Sequence, residues 1–564
     1  MMVKKDISGK ISGIIIKALL GFFEDEKPGV VLPDITDKDL LQPTKDKQHG
    51  DMTSNIAMRL AKHAGMSPAD IASGISRRVS AMLNTVPEID KIEPKGGFIN
   101  LWFSPRYYDE LLKEIKIQRA NFGSSGHGEN KRVNLEFVSA NPTGPLTIAH
   151  GRQAAIGDAL SRILKFSGYR VTSEYYLNDF GRQIDLLGRS VEIRYRNLFG
   201  EDTPMPEDGY IGEYIIDIAK EIKAKKGGRL LKKKSAATKK FFREYAIRYM
   251  MKLIEKDLDD FRVKFDTWTS QAKIEGRNSV NKILEELKER GYIYEQDGAR
   301  WFASTRFKDD KDRVVVKSDG SYTYLAPDIA YHNDKYRRGY DRLIDLLGPD
   351  HHGYIKRMKA AVQALGHKED SLDILIVQLV TLMRDGVTVS MSTRRGEFIS
   401  LREVIDEIGS DVTRFFFLTR KLDSHLDFDI ELAKKESADN PVYYIQYAHA
   451  RICSIFKHNL KKGEKVSSRN ADLTLLTEKY ERDLIKELSE FPLVVRASAD
   501  TLEPSKLIAY LSELARSFHA FYSECRVISE DRDLTRSRLF LVECVKIVLA
   551  NGLGLLNITL PEKM

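Results

Sequence analysis

Cysteine is nearly absent: three in 564 residues, Cys453, Cys525 and Cys544, with no two at metal-ligand spacing. That excludes a disulfide scaffold and a zinc site of the Cys-x-x-Cys kind, and it fits a reducing compartment. Long apolar runs are missing too, where a membrane span needs roughly 18 residues. The nearest candidate, Ile14-Ile15-Ile16 with Ala18 to Phe23, is interrupted by Lys17, followed at once by acids, and lacks a small-residue cleavage site. It reads as an amphipathic helix of a folded domain. A cytoplasmic protein with no membrane partner is therefore expected. Neither sign of charge dominates: 90 Lys and Arg against 82 Asp and Glu leave +8, which permits a polyanionic partner without requiring one. Internal repeats, a Walker-type loop, a Ser-His-Asp set and a paired-carboxylate hydrolase site are all missing.

What remains is an ordinary globular composition, 42% hydrophobic and 30% charged. At roughly 150 residues per domain the length suggests three or four domains. Residues 1–115 read as a compact mixed domain, with Ile56, Leu60 and Ala61 at helical spacing and residues 96–101 as a turn entering a strand. Residues 121–131 (NFGSSGHGENK) carry no apolar period and make the best linker in the chain. Residues 130–435 begin with a strand at 133–138, a Pro/Gly loop at 141–145, a helix from Thr147 to Gly168 and a second strand at 169–177. That order opens a doubly wound α/β sheet. Further strands fit 343–347 and 374–379, after a helical insertion around 192–290. Within it, residues 220–243 hold eleven Lys or Arg against one Glu, either a solvated loop or a phosphate contact. Residues 440–564 are helical throughout, with Tyr443, Tyr447 and Arg451 at four-residue steps on one face.

The loop and helix start NPTGPLTIAHGR, residues 141–152, is the most informative segment. Thr147 and His150 lie three apart, so their side chains face the same way. The helix dipole and first-turn N–H groups point at the same spot, where an anionic group is stabilised. A nucleotide phosphate suits it; so, on spacing alone, does a plain helix cap beside a surface histidine.

EFVSANPTGPLTIAHGRQAAIGDAL resembles the first signature of class I aminoacyl-tRNA synthetases, and specifically of the arginyl-tRNA synthetase family. So do YYLNDFGRQ (175–183), DGSYTYLAPDIAY (319–331), GPDHHG (348–353) and YYIQYAHAR (443–451), together with the closing LPEKM. HGDMTSNIAMRLAK and GGFINLWF resemble the family's N-terminal domain. The resemblance implies a Rossmann-like parallel-sheet catalytic domain with a helical insertion, an N-terminal α/β domain at the tRNA elbow and a C-terminal all-helical anticodon-binding bundle. It implies an arginine–tRNA ligase using L-arginine, ATP with Mg²⁺, and tRNA-Arg, usually a monomer that needs tRNA even for adenylation. No dedicated protein metal site is visible.

Carried over position by position, the resemblance places His150 and Thr147 at the α-phosphate as catalytic groups, with Ala149, Gly348, Asp350 and His351 around the adenosine. Tyr324 and Asp328 take the guanidinium, a head group of five planar donors that calls for acceptors in a fork. Taken alone, Asp328 also suits a helix N-cap before Ile329. Glu136 and Asn141 help hold the amino acid, including its α-amino group, and Tyr443, Tyr447 and Arg451 face tRNA. The second signature, a Lys-Met-Ser-Lys loop that clamps pyrophosphate, here reads SMSTRRG at 390–396, with Met391 and Ser392 at ATP and Arg394 and Arg395 supplying charge. Four departures stand out: Thr147 for the first His, Ala149 for Gly, Gln271 for a Glu near the guanidinium, and Ser390 for the first Lys. Together they leave a second reading, a catalytically weak or inactive paralogue that binds RNA or regulates.

Overall fold

The computed structural model describes residues 7–33, 40–44, 47–231, 235–276, 279–384, 386–388, 399–435, 437, 439–461 and 466–564. A five-stranded, wholly parallel sheet forms its centre: β1 (Arg132–Glu136), β2 (Arg170–Leu177), β3 (Thr267–Ser270), β4 (Arg342–Leu347) and β5 (Leu372–Ile376), in the order β5-β4-β1-β2-β3. Four of the five residues of β1 are buried, as befits a parallel strand covered on both faces. Strand order reverses at β1, with β2 and β3 to one side and β4 and β5 to the other. The crevice at the C-terminal ends of β1 and β4 is therefore the switch point at which such sheets take ligands.

Helix α1 (Ile148–Phe166) links β1 to β2 and lies close on the sheet. Its Gly157 makes that possible, since a Cβ there would come within 2.2 Å of the Phe137 ring. Gly168, at φ +89°, then turns the chain into β2.

Between β2 and β3 stand α2 (Arg182–Asn197), α3 (Glu213–Lys226) and α4 (Ala236–Asp260), around their own core of Leu187, Ile215, Phe242 and Met250. The helical block thus differs from the one expected at 192–290. It starts at Arg182, and the β-branched and aromatic run Thr267-Trp268-Thr269 is an edge strand of the main sheet. Strands Ile293–Gln296, Ala299–Phe302 and Arg313–Val316 form a small antiparallel sheet beyond it. Much of the basic tract lies in α3 and α4 rather than in a loop: Lys223 donates to the Leu198 carbonyl at 2.7 Å, and Lys225 pairs with Glu221.

Helix α5 (Leu325–Arg337) crosses the sheet and feeds β4. The strand expected at 374–379 stops at Ile376, and Val380–Arg384 starts another that pairs in parallel with Leu426–Asp429. The C-terminal helices α6 (Pro441–Lys461), α7 (Lys479–Thr501), α8 (Ser505–Glu524) and α9 (Arg532–Leu555) share one continuous apolar core with the sheet.

The expected linker at 121–131 is a packed strap. Ser125, Gly128 and Asn130 donate backbone N–H groups to Phe166, Ser167 and Gly168, Phe122 stacks near Phe491, and His127 pairs with Asp500. Gly123 and Gly128 serve close approach, to the rings of Phe491 and Tyr169. The N-terminal unit is an antiparallel sheet, Gln42–Pro43, Met52–Ser54, Phe98–Phe103 and Ile89–Lys95 in that order, backed by helices Ile7–Glu26, Ile56–Ala64 and Pro68–Met82 over a separate core. Among the described residues no helix is long and apolar enough to cross a membrane.

Candidate active site

A cavity of about 1750 Å³ opens at the switch point. It gathers Glu136, Asn141, His150, Gln271, Tyr324, Asp328, Gly348, Asp350 and His351, nine positions singled out from the sequence. Thr147 and Ala149 are not on its wall. Met391, Ser392, Arg394 and Arg395 lie outside the described residues, as does Ser390.

Thr147 is the N-cap of α1, with extended backbone at φ −85°, ψ 169°. Its N–H donates to His150 Nδ1 at 3.1 Å, and its hydroxyl lies 3.1 Å from the same nitrogen. Because Nδ1 accepts, the proton of the neutral ring sits on Nε2, the nitrogen left for the cavity. Burial pushes the His150 pKa down to about 4, so the ring acts as a neutral donor.

The deep end is acidic by construction. Asp345, Glu136 and Glu174 are register partners on β4, β1 and β2, so three carboxylates occupy one rung and one face of the sheet. Helix α5 answers with residues at three-residue steps, which share a face. Lys335 Nζ, fully buried, donates to Glu136 at 2.6 Å and to Asp345 at 2.8 Å. Arg338 forks onto Glu174 at 2.8 and 3.0 Å, and Asn134, Thr269 and Tyr331 donate to the same carboxylate. His332 spans the Asp328 main-chain carbonyl and the Asp345 carboxylate, 2.8 Å from each. Burial alone would raise Asp345, but Lys335 and His332 override it and hold that carboxyl low.

Asp328 differs from the rung. It sits four residues into α5, whose N-cap is Tyr324, so the cap expected from its position is not its role. Burial pushes its pKa up to about 6, against the opposing hydrogen bond from the Tyr354 hydroxyl. Among the described residues no Lys or Arg pairs with it. Tyr324, 90% exposed, stands at the rim. Glu136 already has both oxygens engaged, one by Lys335 and one by the Ser139 hydroxyl at 3.0 Å. Asn141 bonds Gln183 and Asn178, at 2.9 and 2.8 Å. Val138 and Ser139, at φ +69° and +38°, carry the chain off β1 in the left-handed region, a strained turn of the kind that collects at functional sites.

Sequence reading did not single out Lys335, His332, Asp345, Glu174, Tyr331 or Tyr354. The available signal was an acid in each of three strands facing a His-x-x-Lys-x-x-Arg helix. In the bundle, Arg451 donates to the Tyr447 hydroxyl at 2.5 Å and lies over the Tyr447 and Tyr522 rings at 4.5 and 4.6 Å. That makes an aromatic and cationic face on α6 extending beyond the expected residues.

Residues 112–416 match the family described as tRNA synthetases class I (R), catalytic domain; residues 5–103 match the arginyl tRNA synthetase N terminal domain, and residues 445–564 the DALR anticodon binding domain. The fold is therefore that of a class I aminoacyl-tRNA synthetase. An arginine–tRNA ligase of Desulforamulus reducens is 45% identical over 93% of both chains, and that of Bacillus subtilis 42% identical over 100% of this chain and 99% of its own. The solved arginyl-tRNA synthetase of Thermus thermophilus, at 20% identity, superposes with a TM-score of 0.76 over 99% of this chain and all of its own, which speaks to the fold. The chain belongs to the arginyl-tRNA synthetase family.

Proposed function

We infer that this chain is an arginine–tRNA ligase. The arginine carboxylate attacks the α-phosphorus of Mg²⁺–ATP, pyrophosphate leaves, and the arginyl-adenylate then gives its acyl group to the terminal ribose hydroxyl of tRNA-Arg with release of AMP. One observation carries the reading: a single unmatched carboxylate, Asp328, stands at the deep end of the switch-point cavity while every acid of the rung beside it has a cation. A guanidinium supplies the missing charge and a fork of donors. His150 offers a neutral Nε2–H to the phosphate, Thr147 orients that ring, and the 348–351 turn and Gln271 frame the rest. Arg394 and Arg395 neutralise pyrophosphate, with Met391 and Ser392 beside the nucleotide and Ala149 packed near the adenosine. Tyr443, Tyr447 and Arg451 receive tRNA-Arg, aided by the N-terminal unit at its elbow, and the enzyme works as a cytoplasmic monomer. The relatives named arginine–tRNA ligase favour an enzyme over an inactive paralogue.

The test is ATP–pyrophosphate exchange with arginine, run with and without tRNA-Arg. Exchange with arginine that depends on tRNA is expected. His150→Ala should lower it about a hundredfold, the usual cost of one transition-state donor. Absence of exchange under both conditions overturns the reading.

A further inference from the structure

The rung across β4, β1 and β2 has a charge arithmetic of its own. Asp345, Glu136 and Glu174 contribute three negative charges. Lys335 and Arg338 contribute two positive ones. Lys335 serves both Glu136 and Asp345, and Arg338 forks onto Glu174. His332 bridges the Asp328 main-chain carbonyl and the Asp345 carboxylate. Every acid of the rung therefore meets a cation before any substrate arrives, while among the described residues no Lys or Arg pairs with Asp328.

We propose that Lys335 and His332 are positioning residues that engage the acids of the rung, so that the cavity takes one cationic head group and takes it at Asp328. This rests on the arginine–tRNA ligase reading and deepens it. Without the two residues the deep end would offer several acidic sites, and a guanidinium could settle at Glu136 or Asp345 with its carboxylate misplaced for adenylation. The groups facing Glu136 and Asp345 are, from α5, Asp328, Tyr331, His332 and Lys335; from β2, Glu174; and from the 349–354 turn, Tyr354, with His351 facing Asp328. The only fixed cation among them is Lys335, bonded to both acids through one nitrogen. Two like carboxylates left around its vacated site would share a proton.

The test uses the full-length enzyme with tRNA-Arg and follows arginine and ATP kinetics from pH 6 to 9. Lys335→Met should raise the arginine KM about a hundredfold or more at pH 7.5, in line with breaking a buried ion pair. It should also make that KM vary with pH above 7, and leave the ATP KM within about threefold. In Lys335→Ala, propylammonium should restore arginine kinetics saturably, and propanol of the same size should not. Equal rescue by the alcohol, or a loss with no pH dependence, assigns Lys335 to packing and overturns the proposal. Should the Lys335 variants fail to fold, His332→Gln carries the kinetic test with the same expected change in pH profile. Absence of arginine activation in the wild type defeats the substrate reading, whereas equal rescue by the alcohol in an active enzyme defeats this proposal alone.

Discussion

Arginine must displace a proton from Asp328 in acid, because burial pushes that carboxyl up to about 6. Arginine KM should be flat from pH 7 to 9 and rise about tenfold per unit below 6, measured by exchange at saturating ATP. Asp328→Asn should abolish that acid limb and lower arginine kcat/KM by about 3–5 kcal/mol, with ATP KM nearly unchanged; an effect under threefold would remove Asp328 from the arginine site. The same carboxyl costs the free protein stability. Its folded pKa lies above the unfolded value, so the destabilisation is complete above pH 6 and relieved as pH falls from 6 towards 4. Asp328→Asn should therefore raise the unfolding free energy at pH 8 in the absence of substrate, by an amount on the order of 1–3 kcal/mol, measured by denaturant unfolding. His150, held near 4, should leave no titration in the adenylation rate between pH 6 and 9. His150 and Asp328 were legible in the sequence because each lies inside a short motif. Lys335 was not, since its partner Glu136 is 199 residues away and a lysine in a helix reads as solvated until the sheet beneath it is known.

Helix α1 does more than present His150. Two residues on, the fully buried Arg152 guanidinium donates to the carbonyls of Gln378 at 2.8 Å, Lys421 at 2.8 Å and Ser424 at 2.9 Å. Burial without a paired acid lowers it to about 10. It thereby joins the active-site helix to the start of the strand Val380–Arg384, while the Leu401 N–H bonds the Leu146 carbonyl at 2.8 Å and ties the far side of residues 389–398 to the helix start. Arg152→Lys keeps the charge but cannot span three carbonyls. It should lower the unfolding free energy measured in urea by about 2–3 kcal/mol, the cost of buried acceptors left unpaired, and raise ATP KM more than arginine KM; unchanged stability would show the carbonyls find other partners. Elements with a clear period, α1, β1, β2 and α6, could be read from the chain. Thr267–Ser270 could not, because four residues carry no period and pairing with β2 alone makes them a strand.

Across the whole molecule, the +8 charge and the tRNA contacts proposed for the two end units predict electrostatic tRNA binding. With roughly 6–10 phosphate contacts, affinity should fall by several powers of ten from 50 to 200 mM salt, by filter binding. A flat salt profile would contradict the assigned interface. Composition and motif order made the class of fold legible, but not how its parts join, since the glycine-rich strap looked like a linker until its hydrogen bonds were seen. The segment after α9 joins them too. Asn557 donates to Asp158 of α1 and to the Arg262 carbonyl, each within 2.9 Å, while fully buried Arg414 binds Asp158 and the Leu556 carbonyl. Thr559 bonds Asp411, and its carbonyl accepts from Gln446 of α6 at 2.9 Å. During synthesis, Asp158 leaves the ribosome 399 residues before Asn557. At about 5–20 residues per second the nascent active-site helix waits roughly 20–80 s for its final partners. A chain cut short before Leu556 by premature termination therefore keeps the Arg414–Asp158 pair but lacks the Leu556 carbonyl and the Asn557 donor that complete it, a defect by which cellular proteases can tell it from the full-length enzyme.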